Sequence, residues 1–260
     1  MKTLYLDCGM GAAGDMLSAA LLELLPDPDA FVAKLNALGI PGVVFTREAS
    51  CKCGIRGTHM SVTVHGEAEG EHHHHHSSMH DIEHIVCSHL DLPEQVKSDI
   101  LAVYKLIAEA ESHAHGVPVS EIHFHEVGSM DAIADITAVC LLLHRLAPDE
   151  IIVSPVHVGC GEVHCAHGIL PVPAPATAHI LRGVPIYGGE VRGELCTPTG
   201  AALLAHFATR FGAMPAMRVS AIGYGMGKKD FRAPTASAPC WARRKTTATR
   251  SRSFPATSMT

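Results

Sequence analysis

The sequence predicts an α/β fold: a mixed sheet with flanking helices, a His-rich disordered loop and an irregular C-terminal tail. A strand-like TLYLDC leads through the glycine loop GMGAAGD into a helical pattern, which together form a strand, loop and helix unit. Apolar residues alternate along residues 43–66, as in half-buried strands, and recur every three to four residues along 92–116, as in a helix. Because 47% of the 260 residues are hydrophobic, the chain can bury a sizeable core.

The N-terminal α/β unit is expected to cover residues 1–66. Its first strand is followed by a helix over about residues 15–25, which PDPD ends, and by a helix over 31–38, which Gly39 ends. VVFTREASC and CGIRGTHMSVTVHG then have the alternation of strands. Residues 67–80, EAEGEHHHHHSSMH, have no hydrophobic period and are expected to form a solvated loop.

Residues 81–233 are expected to form the helical and α/β remainder of the same portion, and residues 234–260 a disordered tail. The patterns predict, in chain order, helices at DIEHIVCSHL and 92–116, a strand at EIHFHEV, a helix from Met130 to Leu146, a buried strand at IIVSPVHVG, a helix near Pro175 to Leu181, strands at VPIYGG and VRGELC, a helix at PTGAALLAHFATRFG and a strand at MRVSAIGYGMG.

Composition limits the class of protein and its partners. The N-terminus lacks a signal-peptide pattern, because Asp7 and then glycines break its apolar run, and no apolar stretch approaches the roughly 20 residues of a membrane span. We therefore expect a cytoplasmic protein with no membrane partner. Its nine cysteines are then better interpreted as reduced thiols than as disulfides. The first 227 residues carry 12 basic and 25 acidic groups, which disfavours nucleic acid as the main partner.

Histidine is unusually frequent, with 20 residues beside a single Trp, and imidazole suits nickel, zinc, copper and iron. One run consists of His72, His73, His74, His75 and His76. Such a run is suited to gathering Ni²⁺ or Zn²⁺. A purification tag or a dispensable solvated loop are the alternatives, although the flanking histidines, such as His65 and His80, favour a native sequence.

The stretch EIHFHEVGSMDAIADI concentrates further metal-grade ligands. On a strand, His123 and His125 would share one face and converge on one ion. After the glycine turn, Asp131 and Asp135 lie one helical turn apart on the same helix face. These four residues are candidate metal ligands, and the two histidines with Glu126 are the catalytic candidates. The alternative is a solvated strand followed by aspartates that merely favour the helix dipole.

Two glycine-containing loops, DCGMGAAGD and TPTG, precede predicted helices. The first lacks the GK[ST] ending of a P-loop, but its backbone N–H groups could still hold a phosphate at the helix N-terminus. A tight turn that needs its glycines is an equally good explanation. In the second, Thr197 is a plausible N-cap and Pro198 the first helical residue, so capping alone would explain it. The cofactor-binding candidates in the two loops are Asp7, Gly9, Gly11, Gly14, Asp15, Thr197, Thr199 and Gly200.

A third donor-rich loop is CGEVHCAHG, in which His164 and His167 flank Cys165. Both histidines are candidate metal ligands. The cysteines lack the paired CxxC spacing of a structural zinc site, so buried thiols are expected for most of them.

Six segments, taken in order, resemble the LarC family, the nickel-insertion proteins of the lactate racemase system. These segments are LDCGMGAAGDML, the histidine run before DIEHIV, IHFHEVGSMDAIADI, HGILPVPAPAT, ELCTPTGAALL and IGYGMGKKD. The resemblance covers residues 3 to about 234. It implies a nickel-pincer-nucleotide cyclometallase of the lyase class. In that reaction Ni²⁺ enters pyridinium-3,5-bisthiocarboxylate mononucleotide at the expense of CTP, with Mg²⁺ or Mn²⁺, and one carbon–nickel and two sulfur–nickel bonds form.

The resemblance also implies a longer protein, because the family continues beyond this length and its CTP-binding part is C-terminal. Here the chain ends in TASAPCWARRKTTATRSRSFPATSMT, which has no apolar period. At this place the family has the pattern PN.LR..LGE. If PTASAPCWARRKTTAT is encoded by GC-rich codons, translation of the same bases in the frame one base back can give NCLRA followed closely by LGEEEDDGD, which restores that pattern. We therefore expect the residues after about Pro234 to be an out-of-frame tail of a gene that uses ribosomal frameshifting.

On this resemblance the chain is the nickel-binding N-terminal part of the enzyme and is incomplete by itself. The implied partners are the mononucleotide, nickel, its own C-terminal part and the lactate racemase apoprotein, and an oligomer is possible. A base must accept the ring C4 proton, and the sequence does not identify it. A nickel store or chaperone without catalysis, and a metal-dependent hydrolase that activates water at HFHE, are the alternative functions.

Overall fold

The computed structural model of the chain describes residues 1–68, 77–122, 124, 126–165, 168–230 and 239–245. Its α-helices are α1 (Gly14–Leu22), α2 (Pro28–Ala37), α3 (Met79–His84), α4 (Glu94–His115), α5 (Met130–Leu146), α6 (Pro175–Ile180) and α7 (Pro198–Phe207). Its strands are β1 (Thr3–Asp7), β2 (Val43–Lys52), β3 (Ile55–Val64), β4 (Glu67–Ala68), β5 (Glu150–Val153), β6 (Val156–His157), β7 (Gly159–Cys160), β8 (Glu162–Cys165), β9 (Gly168–Pro171), β10 (Ile186–Tyr187), β11 (Gly193–Glu194), β12 (Arg210–Phe211), β13 (Val219–Met226) and β14 (Pro239–Lys245).

An eight-stranded mixed sheet forms the centre of the fold, which confirms the predicted α/β class. Its strand order is β12-β5-β1-β14-β13-β3-β2, with β4 paired to β3. β1, β5 and β12 run parallel, whereas β2 and β3 form the antiparallel hairpin expected from their alternating residues. The described residues also form the two-stranded sheets β10-β6, β11-β7 and β8-β9.

Strand β14 joins the two halves of the main sheet. It lies antiparallel to β1, with Leu4 opposite Arg244, and antiparallel to β13, with Met226 opposite Pro239. The sequence predicts a tail without regular structure from about residue 234, and the structure differs over residues 239–245. The reason is physical: the neighbouring strands β1 and β13 offer backbone groups to any extended segment between them, whatever its side chains. The other tail residues lie outside the described residues.

Helix α1 packs unusually close to β13 because β13 contains glycine. An added Cβ at Gly223 would overlap the carbonyl oxygen of Ala20, and one at Gly225 would overlap that of Met16. The GYGMG motif is thus required by close helix–sheet packing, for which glycine is the only suitable residue. This contact holds α1, and the loop before it, in a fixed position on the sheet.

Helix α5 is the central helix of the hydrophobic core. Eleven of its 17 residues are buried, including Ile133, Ile136 and Leu142. A helix that is apolar on nearly all sides packs within a core rather than on its surface. Its two acidic residues, Asp131 and Asp135, lie in the first two turns and are only partly buried. Among the described residues, no helix combines the length and apolar character needed to cross a membrane.

The predicted strand at EIHFHEV is wrong. Residues Val119–Glu121 and Glu126–Gly128 form 3-10 turns, and Phe124 makes only an isolated bridge to Ser77. The alternation that suggested a strand has another cause, since Ile122 and Phe124 are both buried and anchor an irregular segment to the core. His123 and His125 lie outside the described residues.

Three smaller predictions are also corrected. IIVSPVHVG forms two strands in different sheets, β5 and β6, because Pro155 lacks the N–H that would continue the ladder. The loop before α6 contains the hairpin of β8 and β9. The helix predicted from Asp81 begins at Met79, where Ser78 and Asp81 form a capping box, and continues as a π-helix over Ile85–His89.

Candidate functional site

The two glycine-containing loops lie side by side. Ala12 in the first loop donates its N–H to Leu195 O at 3.0 Å, and Thr197 in the second donates to Ala12 O at 3.0 Å. Ala12 and Cys196 thereby form a parallel bridge. The structure thus brings together the residues that the sequence predicted to bind a cofactor, which start 190 positions apart in the chain.

Close packing explains the glycines of both loops. Gly11 has φ +84°, which favours glycine, and an added Cβ there would overlap Leu195 O. An added Cβ at Gly200 would overlap Ala12 O. The alternative interpretation, that these loops need glycine for their geometry, therefore has direct structural support.

The N-terminus of α1 faces the carboxylate of Asp135. An added Cβ at Gly14, the first residue of α1, would lie 2.6 Å from Asp135 Oδ2. The N-cap residue Ala13 provides no side-chain cap, and a carboxylate near a helix N-terminus is favoured by the helix dipole. A phosphate at this position would meet the negative charge of Asp135, so α1 is a poorer anion site than its sequence suggests.

The acidic residues of the first loop have local partners. Asp7 Oδ1 accepts a hydrogen bond from Gly9 N–H at 3.0 Å, which fixes the turn. Asp15 Oδ2 lies 4.0 Å from His59 Nδ1, and this nitrogen lies 2.8 Å from Met226 O. The two aspartates therefore shape the loop and its contact with the sheet.

His157 lies against the first glycine-containing loop, and the sequence did not identify it as a residue of the site. Its buried ring places Nδ1 2.9 Å from Gly9 O and Nε2 3.0 Å from Gly188 O. The ring stacks on Tyr187, with centroids 4.6 Å apart and planes at 11°. Burial, followed by the charge of Asp7, raises the pKa of Tyr187, so its phenol stays protonated and donates toward Gly9 O at 3.4 Å.

Helix α7 begins with the predicted cap. Thr197 Oγ1 accepts a hydrogen bond from Gly200 N–H at 3.1 Å, and Pro198 occupies the first turn. Thr199 is buried behind this cap. Both sequence predictions for the start of this helix are confirmed.

A cavity of about 260 Å³ opens beside the α7 N-terminus. Residues from four motifs line it: Val127 after the HFHE segment, Cys165 in CAHG, Pro198 in TPTG and Lys229 in GMGKKD. Motifs separated by some 100 residues of sequence therefore meet at one concave surface. Small-molecule sites are typically such cavities, with a few polar groups that fix the ligand.

The polar lining of the cavity combines both charges and soft ligands. It consists of Glu111, His115, His164, Cys165, Glu194 and Lys229. His115 Nε2 lies 3.3 Å from Glu111 Oε2, one helical turn away on α4. Within the described part of the chain, no three His, Cys, Asp or Glu side chains are close enough to hold a metal ion.

The other residues predicted to bind metal or to act in catalysis lie in different parts of the chain. His164 lines the cavity, while Asp131 and Asp135 lie on α5. The predicted metal ligands His72, His73, His74, His75, His76, His123, His125 and His167 lie outside the described residues. For Glu126 the backbone is a 3-10 turn that leads to the cavity at Val127.

Three polar groups of the cavity are not evident from the sequence: the Glu111–His115 pair, Glu194 and Lys229. The pair had a detectable signal, because an acid and a histidine four residues apart share one helix face. Glu194 had none, since its place depends on the pairing of β11 with β7.

Comparison with known proteins gives a consistent result. The family profile described as nickel insertion protein matches residues 4–251. The pyridinium-3,5-bisthiocarboxylic acid mononucleotide nickel insertion protein of Desulfitobacterium hafniense strain DCB-2 is 43% identical over 234 residues, and the protein of that name from Geobacillus kaustophilus is 41% identical over 234 residues. A putative nickel insertion protein of Dictyoglomus thermophilum is 41% identical over 234 residues.

These three alignments cover 90%, 88% and 90% of this chain but 56%, 57% and 59% of the relatives, respectively. The chain therefore spans somewhat more than half the length of the curated relatives it matches. No solved structure matches it.

Proposed function

The chain belongs to the nickel insertion protein family, and we propose that it binds Ni²⁺ together with a pyridinium-3,5-bisthiocarboxylic acid mononucleotide and brings the two into contact. The observation that carries the proposal is the cavity at which four separate motifs meet. Its volume of about 260 Å³ is close to the lower end of small-molecule sites, roughly 300–1,000 Å³. It would hold part of a mononucleotide and leave the rest at the open side.

The charges of the cavity fit the two ends of such a ligand. The exposed Lys229 lines the rim and supplies an ammonium group for the phosphate. The helix dipole at the neighbouring N-terminus of α7 also favours a negative charge there. Glu111 and Glu194 on the other lining elements suit the cationic pyridinium ring. The ligand would thus be oriented by charge.

Nickel is proposed to reach this ligand through histidine. His72, His73, His74, His75 and His76 would gather the ion, and His123, His125, His164 and His167 would hold it beside the cavity, because imidazole is a preferred nickel ligand. Glu126, Asp131 and Asp135 remain predicted contributors near this site. Of these histidines the structure describes His164, which lines the cavity.

The chemistry requires a base. When the carbon–nickel bond forms, the ring C4–H bond breaks, its electron pair passes to the metal, and the proton must be accepted by the protein or by water. The two thiocarboxylate sulfurs would supply two further ligands to the ion. We propose His115 as this base, since it lines the cavity and Glu111 at 3.3 Å can stabilise the imidazolium that results.

The complete reaction is proposed for the longer protein. CTP, with Mg²⁺ or Mn²⁺, would act in the C-terminal part, and the product would serve a lactate racemase. The out-of-frame origin of the tail after about Pro234 stays a proposal as well. Sequencing of the genomic DNA tests it: an open frame that encodes an LGE-like segment downstream supports it, and its absence contradicts it.

A nickel store is the second candidate function, and the run of five histidines favours it. A nickel store would bind nickel as tightly as a nickel insertion protein does, but it would have no affinity for the mononucleotide. Calorimetry of both ligands on the wild-type chain distinguishes the two functions.

Three variants sharpen this calorimetric test. Replacement of His72 to His76 by serine should reduce nickel stoichiometry and leave mononucleotide binding intact. Lys229→Ala should weaken mononucleotide binding by roughly 5-fold, as expected for the loss of about 1 kcal/mol of phosphate interaction. Lys228→Ala, next to it on the exposed surface, is the matched control and should have no effect. If the wild type binds nickel but not the mononucleotide, the store is the better description.

A further inference from the structure

The helical segment before α4 contains a π-helical turn. Helix α3 ends at His84, and residues Ile85–His89 continue it as a π-helix, a form whose hydrogen bonds join residues five apart. Two buried apolar residues, Val86 and Leu90, anchor this turn in the hydrophobic core. Single π-helical turns are rare and frequently occur at functional sites. The core therefore holds this turn in a fixed position, and its exposed side chains need an explanation.

The π-helical turn brings the rings of His84 and His89 together. Their centroids lie 4.8 Å apart, with the ring planes at 65°. In an α-helix, side chains five residues apart point in directions about 140° apart and do not meet. Here the wider turn returns His89 to the side of His84, and both residues are exposed. An ordinary α-helix over the same residues would separate them.

The spacing of the two rings is that of two histidines bound to one metal ion. With metal–nitrogen bonds of about 2.1 Å and about 1.1 Å from each nitrogen to its ring centroid, two neighbouring imidazoles on one ion have centroids roughly 4.5–5.2 Å apart. The observed distance of 4.8 Å lies within this range. An edge-to-face contact between aromatic rings has a similar spacing, so the distance alone fits both interpretations.

A hydrogen bond of His84 favours the metal interpretation. His84 Nδ1 lies 3.2 Å from Ser88 Oγ. When Nδ1–H donates to this hydroxyl oxygen, Nε2 carries the free lone pair and the orientation of the ring is fixed. Histidines that bind metals almost always donate their other ring N–H to an acceptor in this way. A contact between two rings needs no such partner.

We propose that His84 and His89 jointly bind one divalent transition-metal ion of the kind that imidazole prefers, Ni²⁺ or Zn²⁺, with water at its other positions. Two protein ligands are fewer than the four of a structural zinc site, so the ion stays exchangeable. Nε2 is the ligand atom of His84, and Ser88 is a positioning residue. The site does not depend on the proposed function, because it uses neither the cavity residues nor the mononucleotide.

The site lies close in sequence to the run of five histidines. The run ends at His76, eight residues before His84. An exchangeable site on a fixed turn would receive nickel from the run and hold it in a defined place on the folded chain. This role, unlike the metal site itself, rests on the proposed function.

The test is modification of histidines by diethyl pyrocarbonate in the full chain, with peptide-level mass spectrometry to measure each histidine. The background protein carries serine in place of His72 to His76, so that the run does not compete for the ion. Added Ni²⁺ should protect His84 and His89 together, with one midpoint concentration for both. His144, which is exposed near the end of α5, is the internal control and should stay reactive.

Two further ions test the chemistry of the site. Zn²⁺ is titrated in parallel and should protect the same two histidines, and the ion with the lower midpoint concentration is the one that the pair selects. Mg²⁺ should protect neither histidine, because hard cations prefer oxygen ligands. Protection by Mg²⁺ at the same concentration would contradict binding through imidazole.

Three variants show whether the two histidines act jointly. His89→Gln should abolish protection of His84 at the Ni²⁺ concentration that saturates the background protein, because a single imidazole remains. Ser88→Ala should raise the midpoint concentration by roughly 10-fold, the lower end of the effect of such partners. His80→Gln removes the exposed histidine one α-helical turn before His84 and should have no effect. All three positions are exposed, where substitutions rarely unfold a protein.

Three results would overturn the proposal: no protection of the pair by Ni²⁺ or Zn²⁺, protection of His84 that persists unchanged in His89→Gln, or loss of protection in His80→Gln. The last result would place the ion on the ordinary α-helical pair of His80 and His84. Failure of the proposed function is measured separately, through mononucleotide binding at the cavity, which histidine modification at this turn does not report.

Discussion

Asp135 of α5 occupies the space in which a side chain at Gly14 of α1 would lie, since an added Cβ at Gly14 would be 2.6 Å from Asp135 Oδ2 and 2.7 Å from Asp135 Cβ. This contact joins the start of the glycine loop helix to the central helix. It also gives Gly14 a steric role, and Asp135 a favourable place beside the partial positive charge of the α1 N-terminus.

Gly14→Ala should destabilise the protein, because the new methyl group must displace a carboxylate and part of a packed helix. The expected loss is about 1–3 kcal/mol in the free energy of unfolding, as for other overpacked sites. Denaturant unfolding measures it. Gly9→Ala is the matched control, since its Cβ would meet Asp7 Oδ1 at 3.1 Å and nothing nearer, and it should cost less. Equal losses in both variants would contradict the steric role of Asp135.

Thr197→Ala should remove the cap of α7 and lower stability by about 1 kcal/mol. The lost interaction is the hydrogen bond from Gly200 N–H to Thr197 Oγ1 at 3.1 Å. Thr197→Ser retains the oxygen and should behave as the wild type. Chemical denaturation of the three proteins tests this, and a serine variant as unstable as the alanine variant would show that the methyl group matters instead.

A chain that ends at residue 238 should lose cooperative unfolding. Without β14, the backbone groups of β1 and β13 that pair with it would lack partners in the centre of the main sheet. A chain that ends at residue 246 retains the strand and is the control. Thermal unfolding followed by circular dichroism distinguishes them. If the shorter chain melts at the same temperature and with the same sharpness, residues 239–245 do not support the sheet.

His179 should titrate below its ordinary range. Partial desolvation, then the neighbouring charges of Arg182 and His113, lower its pKa, while Glu109 opposes them. Arg182 NH2 lies 3.0 Å from His179 Nε2. Arg182→Gln should therefore raise the pKa of His179, which NMR titration of the ring protons measures.

The sign of the pH effect on stability follows from the same shift. With its pKa lowered on folding, His179 binds fewer protons in the folded chain than in the unfolded chain. Its contribution to stability is complete above the unfolded pKa of about 6.5 and is lost as the pH falls toward the folded pKa. The effect should be small because the group is largely solvated, and His179→Gln should remove it. A His179 pKa at or above 6.5 would contradict this account.

The sequence predicted the elements whose side chains alone determine them. The bounds of α5, Met130 to Leu146, agree with the prediction because a continuous apolar pattern lies between Gly128 and the αL residue Ala147. EIHFHEV was mistaken for a strand because the buried pair Ile122 and Phe124 has the spacing of a strand, whereas among the described residues Phe124 makes an isolated bridge to Ser77 and no longer ladder.

Parts of the candidate site depend on tertiary contacts that the sequence does not display. His157 is positioned by the carbonyl groups of Gly9 and Gly188, and β14 by the space between two strands. Side-chain periodicity cannot reveal such roles.

The most direct measurement of the central claim is protection of Cys165 from alkylation by the mononucleotide. Cys165 lines the cavity and is partly exposed, whereas Cys51, Cys53 and Cys87 are exposed elsewhere and act as internal controls. Peptide-level mass spectrometry gives the rate for each thiol. If the mononucleotide binds in this cavity, it should slow alkylation of Cys165 and leave the three control cysteines unchanged. If Cys165 reacts at the same rate with saturating mononucleotide, the cavity is not the binding site.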